Sequence, residues 1–362
     1  MQSKNAGIYW SRLDHLRFFA AMLVIFKHVW DMAGGPQGPH TTKFLTAIIQ
    51  SGHIGVSLFL VLTGFLFVQI LDRYKQGIIY HKFIYNRLLR IFPLLTVVFF
   101  TFLAVGKEYY TDHPLPILNL LFLQLNFGDE LSGFGQSVFP VGAWWTVAVE
   151  FQFYLIFPLI YGIFMRKGPG YLIGLLATFI MINLGIFLFK GDCYWLMYHS
   201  IIGRMSQFLI GMLAACIALK KTEVVKKYAL LLFALSLSLM FSLSYYYQDN
   251  EFFKNILTFP SEAIVFSMMI LGYQYLNVTL PQIADKLFSR LGEMSFSIYL
   301  LHALILEILI KNIGFLSITG HFAIDVIIYS LTILLPVVLV VSSMTYSFIE
   351  KPFMEMRVKY AR

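Results

Sequence analysis

Apolar runs long enough to cross a bilayer as helices recur from one end of this chain to the other, and they decide its fold class before any motif is read. Ten spans are predicted, at residues 16–34, 53–71, 86–106, 144–165, 170–190, 200–219, 228–247, 258–277, 293–313 and 322–348. In hydrocarbon every backbone N–H and C=O must be satisfied internally, which leaves helices or closed barrels. Unbroken apolar runs exclude the alternating pattern of barrel strands. Only 13% of the residues are charged and the mean hydropathy is +0.74, against about one quarter charged in a soluble domain. The expectation is an all-α polytopic membrane protein of about ten transmembrane helices. It forms a single integral-membrane domain over residues 1–362, with its core at 13–353.

An even number of spans puts both termini on one side. Lys and Arg residues then divide twenty to that side and six to the other, with Lys27 inside a span, of 27 in all. The positive-inside rule makes the terminal side cytoplasmic. The net charge of +8 therefore reflects topology and attraction to anionic membrane lipid, and no nucleic-acid partner is expected. The first span holds Arg17, Lys27 and His28, so it is not a cleavable signal peptide. Two cysteines, Cys193 and Cys216, make neither a disulfide framework nor a metal motif, and no metal is expected. The one long connection, residues 107–143, falls on the outer side. Within it, 114–127 is apolar but short for a span and is read as re-entrant or interfacial.

Polar residues inside the spans carry the chemistry, because each charge in hydrocarbon costs a few kcal/mol. Arg17 and His28 are eleven residues apart, three turns plus about 20°, so they share one face at roughly 16 Å separation. A charged group at the membrane edge thus looks toward a titratable group deeper in. His28 in the first span and Glu150 in the fourth lie at matched depth, about six residues from the outer ends of their spans. A carboxylate beside a histidine raises its basicity and fixes its tautomer, while the same two residues also make an ordinary helix-holding pair. Gly55, Ser57, Thr63 and Gly64 read as small residues for close helix packing. Arg87 and Arg90 share a face at i, i+3 spacing at the cytoplasmic boundary, suited to phosphates or to a snorkelling basic cluster. Ser297, Tyr299 and His302 lie in the ninth span, and Glu350 beside Lys351 reads as a structural ion pair.

Six segments in order, LDHLRFFAAMLVIFKH, GHIGVSLFLVLTGFL, RLLRIFP, WWTVAVEFQFYLIFP, GEMSFSIYLLH and SFIEKPF, resemble the acyltransferase-3 family of membrane acyltransferases from Leu13 to Phe353. That family includes bacterial O-antigen and other surface-glycan O-acetyltransferases. Two positions depart from its pattern: Thr63 and Thr146 stand where Ser is usual. The chain is similar to the stand-alone type, without an appended soluble esterase-like domain.

The resemblance implies a donor, cytoplasmic acyl-CoA with acetyl the commonest group, and an acceptor hydroxyl on an extracytoplasmic glycan at the inner membrane. Arg17 with His28 matches the family's Arg-x10-His motif, and Arg87 with Arg90 its RxxR motif. The implied roles are His28 as general base with Glu150 orienting it, and Arg17, Arg87 and Arg90 on the coenzyme A phosphates. Asp14, His53, Tyr154, Ser297, Tyr299 and His302 are the supporting or substrate-contacting set. A transporter or flippase using intramembrane Arg, His and Glu is the alternative.

Overall fold

A computed structural model describes residues 10–36, 44–72, 77–105, 144–246 and 250–360. The connection at 107–143, with its 114–127 segment, lies outside the described residues. In chain order the helices are α1 (Ser11–Met32), α2 (Phe44–Gln50), α3 (Ile54–Asp72), α4 (Tyr80–Val105), α5 (Trp145–Lys167) and α6 (Pro169–Lys190). A short α7 (Tyr194–His199) follows, then α8 (Ile201–Lys220), α9 (Thr222–Tyr246), α10 (Phe253–Tyr275), α11 (Gln282–Glu293), α12 (Ser295–Ile313) and α13 (Phe322–Glu355). Nine of these, among the described residues, are long and apolar enough to cross a membrane. The tenth expected span is α1, whose 22 residues carry Arg12, Asp14, Arg17, Lys27 and Asp31. It is nonetheless largely buried, from Leu13 to Trp30. The protein is an all-α polytopic membrane protein.

Burial separates the helices into a core and a rim. In α6 only Leu172 and Asn183 are buried, and apolar side chains such as Met181 and Leu188 face outward. That is the surface a helix offers to lipid. By contrast α3 is buried along most of its length. Its glycines explain how. A Cβ at Gly55 would stand 2.3 Å from the Ala20 carbonyl oxygen of α1, and one at Gly64 would stand 2.1 Å from that of Phe208 in α8. Gly211 of α8 returns the contact, 2.3 Å from the Val61 carbonyl oxygen. Without a hydrophobic drive between helices in lipid, such backbone approach is what holds them together.

Prolines mark where the helices widen. A π turn at Phe253–Leu257 precedes Pro260, one at Ser330–Leu334 precedes Pro336, and one at Tyr346–Glu350 precedes Pro352. Proline removes the i→i−4 bond and crowds the carbonyl it would have met, and a wider turn relieves both. The last of these turns carries Glu350.

The described ends of the chain lie at the same end of the bundle. Arg12 of α1 donates to the carbonyls of Tyr273 (2.8 Å) and Leu276 (2.6 Å), closing the C-terminus of α10. Gly292 of α11 lies against the Asp14 backbone. Arg290 sits 4.8 Å over the Tyr346 ring, and Val358 is bonded to Asn86 at the start of α4.

Candidate active site

His28, half-buried on α1, does not meet Glu150. Its Nδ1 lies 2.7 Å from Nε2 of His302 on α12, with the two rings 7° from parallel. His302 is fully buried, and its Nδ1 is 2.7 Å from the Tyr299 carbonyl oxygen of its own helix. A carbonyl only accepts, so Nδ1 of His302 carries the hydrogen. In a neutral pair Nε2 of His302 is then an acceptor, and Nδ1 of His28 must be the donor. The hydrogen-bond network thus assigns the lone pair of His28 to Nε2. A similar count of residues from the span ends does not bring two side chains together: rotation about the helix axis decides contact, and His28 and Glu150 have different partners.

Glu150 on α5 accepts from Thr63 (2.9 Å) and from the hydroxyl of Tyr154 one turn along its own helix. Tyr154 in turn forms part of an aromatic cage about Arg87. The Arg87 guanidinium carbon is 5.2 Å from the Phe67 ring, 5.4 Å from Phe83 and 5.6 Å from Tyr154. One turn from Glu150 toward the N-terminus of α5, Thr146 donates to the Tyr299 hydroxyl at 2.8 Å.

The Ser-to-Thr departures at 63 and 146 therefore keep the hydroxyls that make these contacts. Thr63 is a polar partner, not only a packing residue as its spacing suggested. We expect Thr63→Ser to keep full transfer activity. Thr63→Val should lose about 0.5–1.5 kcal/mol of stability, read by thermal unfolding, because Glu150 loses a half-buried hydrogen-bond donor.

Arg90 lies 3.1 Å from Glu350, whose carboxylate is 1% exposed and also accepts from Ser297. The partner of Glu350 is thus Arg90, not its chain neighbour Lys351: the π turn at Tyr346–Glu350 aims it at α4 and α12. Ser297 and His302 are five residues apart on α12, roughly 7.5 Å. Two polar ladders consequently rise from the arginine pair. One runs Arg87, Tyr154, Glu150 and Thr63; the other runs Arg90, Glu350 and Ser297, then up α12 to His302 and His28. Arg17, on the face of α1 below His28, is ion-paired with the buried Asp14 at 2.6 Å.

His53, just before α3, stands apart from this group, 6.1 Å from the Tyr198 ring. Beside it lies a buried charge network that the sequence reading missed. Arg204, one of the six basic residues assigned there to the outer side, lies within α8 with 0% exposure, its guanidinium 4.0 Å from the Phe259 ring and 4.3 Å from Tyr198. Ser57 bridges it to Glu262 on α10, donating to the carboxylate at 2.5 Å and accepting from Arg204 at 3.2 Å. Gln207 adds a donor to Glu262 at 3.2 Å. The signal was present in Glu262, an acid within a predicted span, and in Arg204, a few residues inside another. Both cysteines are free and buried, and no group of three or more His, Cys, Asp or Glu side chains that could hold a metal gathers among the described residues.

Residues 10–348 match the model of the acyltransferase domain. Relatives include ORF330 of Acidianus two-tailed virus, provisionally named an acetyltransferase, 26% identical over 83% of this chain and 84% of that protein. Nodulation protein 10 of Rhizobium leguminosarum bv. viciae is 28% identical over 46% of this chain and 49% of its own length. The O-acetyltransferase OatA of Staphylococcus aureus is 27% identical over 95% of this chain, which spans 57% of OatA. No solved structure matches the chain. A family match over nearly the whole sequence, on a bundle of membrane-spanning helices, identifies the chain as a multi-pass membrane acyltransferase of the acyltransferase-3 family.

Proposed function

We propose that the chain moves an acetyl group from acetyl-CoA, taken up from the cytoplasm, to a hydroxyl of an extracytoplasmic glycan at a bacterial inner membrane. The observation that carries this reading is the His302–His28 pair, which leaves Nε2 of His28 with a lone pair above a cluster of arginines. The family's shared acyl chemistry and the O-acetyltransferase name of one relative support the acyl group and the oxygen acceptor. The excess of Lys and Arg on the terminal side supports a cytoplasmic mouth there.

In this mechanism Arg17, Arg87 and Arg90 bind the donor phosphates through charge-assisted hydrogen bonds. The pantetheine arm spans the roughly 16 Å from the Arg17 level to His28. Nε2 of His28 takes the proton of the acceptor hydroxyl as its oxygen attacks the thioester carbonyl. The carbon–sulfur bond breaks, and the imidazolium returns the proton to the departing thiolate. His302 accepts from Nδ1–H of His28 throughout, holding the tautomer and stabilising the imidazolium. Glu150 takes a supporting role, fixing Tyr154 against Arg87.

Acetyl-CoA titrated into purified protein tests the donor site. Wild type should bind in the micromolar range, with Arg17→Ala and Arg87→Ala each weaker by about tenfold, the loss of one charge-assisted contact. Absence of acyl-CoA binding to folded wild type would overturn the donor assignment and favour a carrier.

A further inference from the structure

The chain after α13 folds back along the start of α4. The Asn86 amide clamps Val358 in both directions, donating to its carbonyl at 2.7 Å and accepting from its N–H at 2.9 Å. Ile79 N–H donates to the Tyr360 carbonyl at 2.8 Å, and the Tyr360 ring packs 5.4 Å from Phe83. Phe83 is itself a wall of the cage around Arg87. On the other side, Met354 brings its sulfur 3.1 Å from the Arg90 guanidinium. Arg357 is thus fixed between two contacts, Met354 with Arg90 and Val358 with Asn86.

These contacts bring Arg357 to the same corner of the fold as Arg87 and Arg90, close enough to feel their charges, and Glu350, paired with Arg90, is a carboxylate facing that corner. Neither Arg87 nor Arg357 forms an ion pair among the described residues, and the buried Nε of Arg87 has no hydrogen-bond partner there. Arg357 is exposed and so open to a ligand. The crowding that desolvates its head group, followed by the like charges of Arg90 and Arg87, draws its pKa down to about 9. Holding like charges together at the edge of low dielectric is unfavourable unless an anion completes the set. A single carboxylate does not neutralise three guanidiniums. Clustered phosphates do, and coenzyme A carries a diphosphate and a separate ribose phosphate.

We propose that residues 356–360 form a strap that delivers Arg357 into the donor site, as a third phosphate-binding guanidinium beside Arg87 and Arg90. Asn86 is its positioning residue. The inference rests on the acyl-CoA reading above and extends it to a part of the chain beyond the matched family region, which ends at residue 348.

The test uses full-length protein in nanodiscs of zwitterionic lipid, titrated with acetyl-CoA, with thermal unfolding of each variant as the control for folding. Arg357→Ala should weaken acetyl-CoA binding about tenfold, and Arg357→Lys should recover part of the loss. Asn86→Ala should raise the donor KM while kcat at saturating donor stays near wild type, a split that general loss of structure does not give. Unchanged affinity in Arg357→Ala alongside weakened binding in Arg87→Ala would overturn the strap and leave the donor reading standing. No acetyl-CoA binding by folded wild type would remove both. In nanodiscs containing phosphatidylglycerol, an effect of Arg357→Ala on retained anionic lipid, with none on acetyl-CoA, would make this a lipid-headgroup site and overturn the proposal.

Discussion

His28→Ala should lower kcat for acetyl transfer by about 10²–10⁴, the range for removing a general base, while acetyl-CoA still binds. The reason is local. Nε2 is the basic atom of His28 because Nδ1 is committed to His302, and that commitment is set by a backbone carbonyl that can only accept. The companion change is His302→Gln, whose amide oxygen can still accept from Nδ1–H of His28, and it should retain more activity than His302→Leu. Transfer of labelled acetyl to an acceptor glycan, measured beside donor binding, reads both. Near-normal turnover in His28→Ala would remove His28 from the mechanism. Equal loss in His302→Gln and His302→Leu would show that ring packing, not the accepting atom, is what matters.

The helices were legible because a span declares itself through length and apolarity, two properties that survive without knowledge of neighbours. The helices that carry His28 and Glu150 were legible for the same reason, and both are largely buried in the bundle. Azimuth was not. Helix rotation is set by packing features such as the close approaches of Gly55 to Ala20 and Gly64 to Phe208. These rotations join His28 to His302 and leave Glu150 to Thr63 and Tyr154. Glu350 shows a second limit. Its partner depends on a π turn induced near Pro352, which shifts the register of the last helix toward Arg90. Asn86 and Val358 show a third, since a clamp between residues hundreds of positions apart leaves no local pattern.

Arg204 illustrates the greatest energetic stake, and Glu262→Ala should be the most destabilising single change in the bundle. Arg204 is fully buried and Glu262 is 4% exposed, joined through Ser57 and Gln207. Breaking such a unit by removing one member leaves an uncompensated buried charge, at a cost of about 3–5 kcal/mol. The aromatic rings of Phe259 and Tyr198 over the guanidinium reduce that cost without replacing a carboxylate. Removing both charges is a different experiment. Arg204→Met combined with Glu262→Leu replaces the network by apolar volume, and such replacements are often neutral or stabilising by about 1–4 kcal/mol. Thermal unfolding in detergent should therefore place Glu262→Ala far below wild type and the double variant near it. If the double variant is as unstable as the single one, the network does more than balance two charges. Its hydrogen bonds to Ser57 and Gln207 would then be what holds α3, α8 and α10 in register.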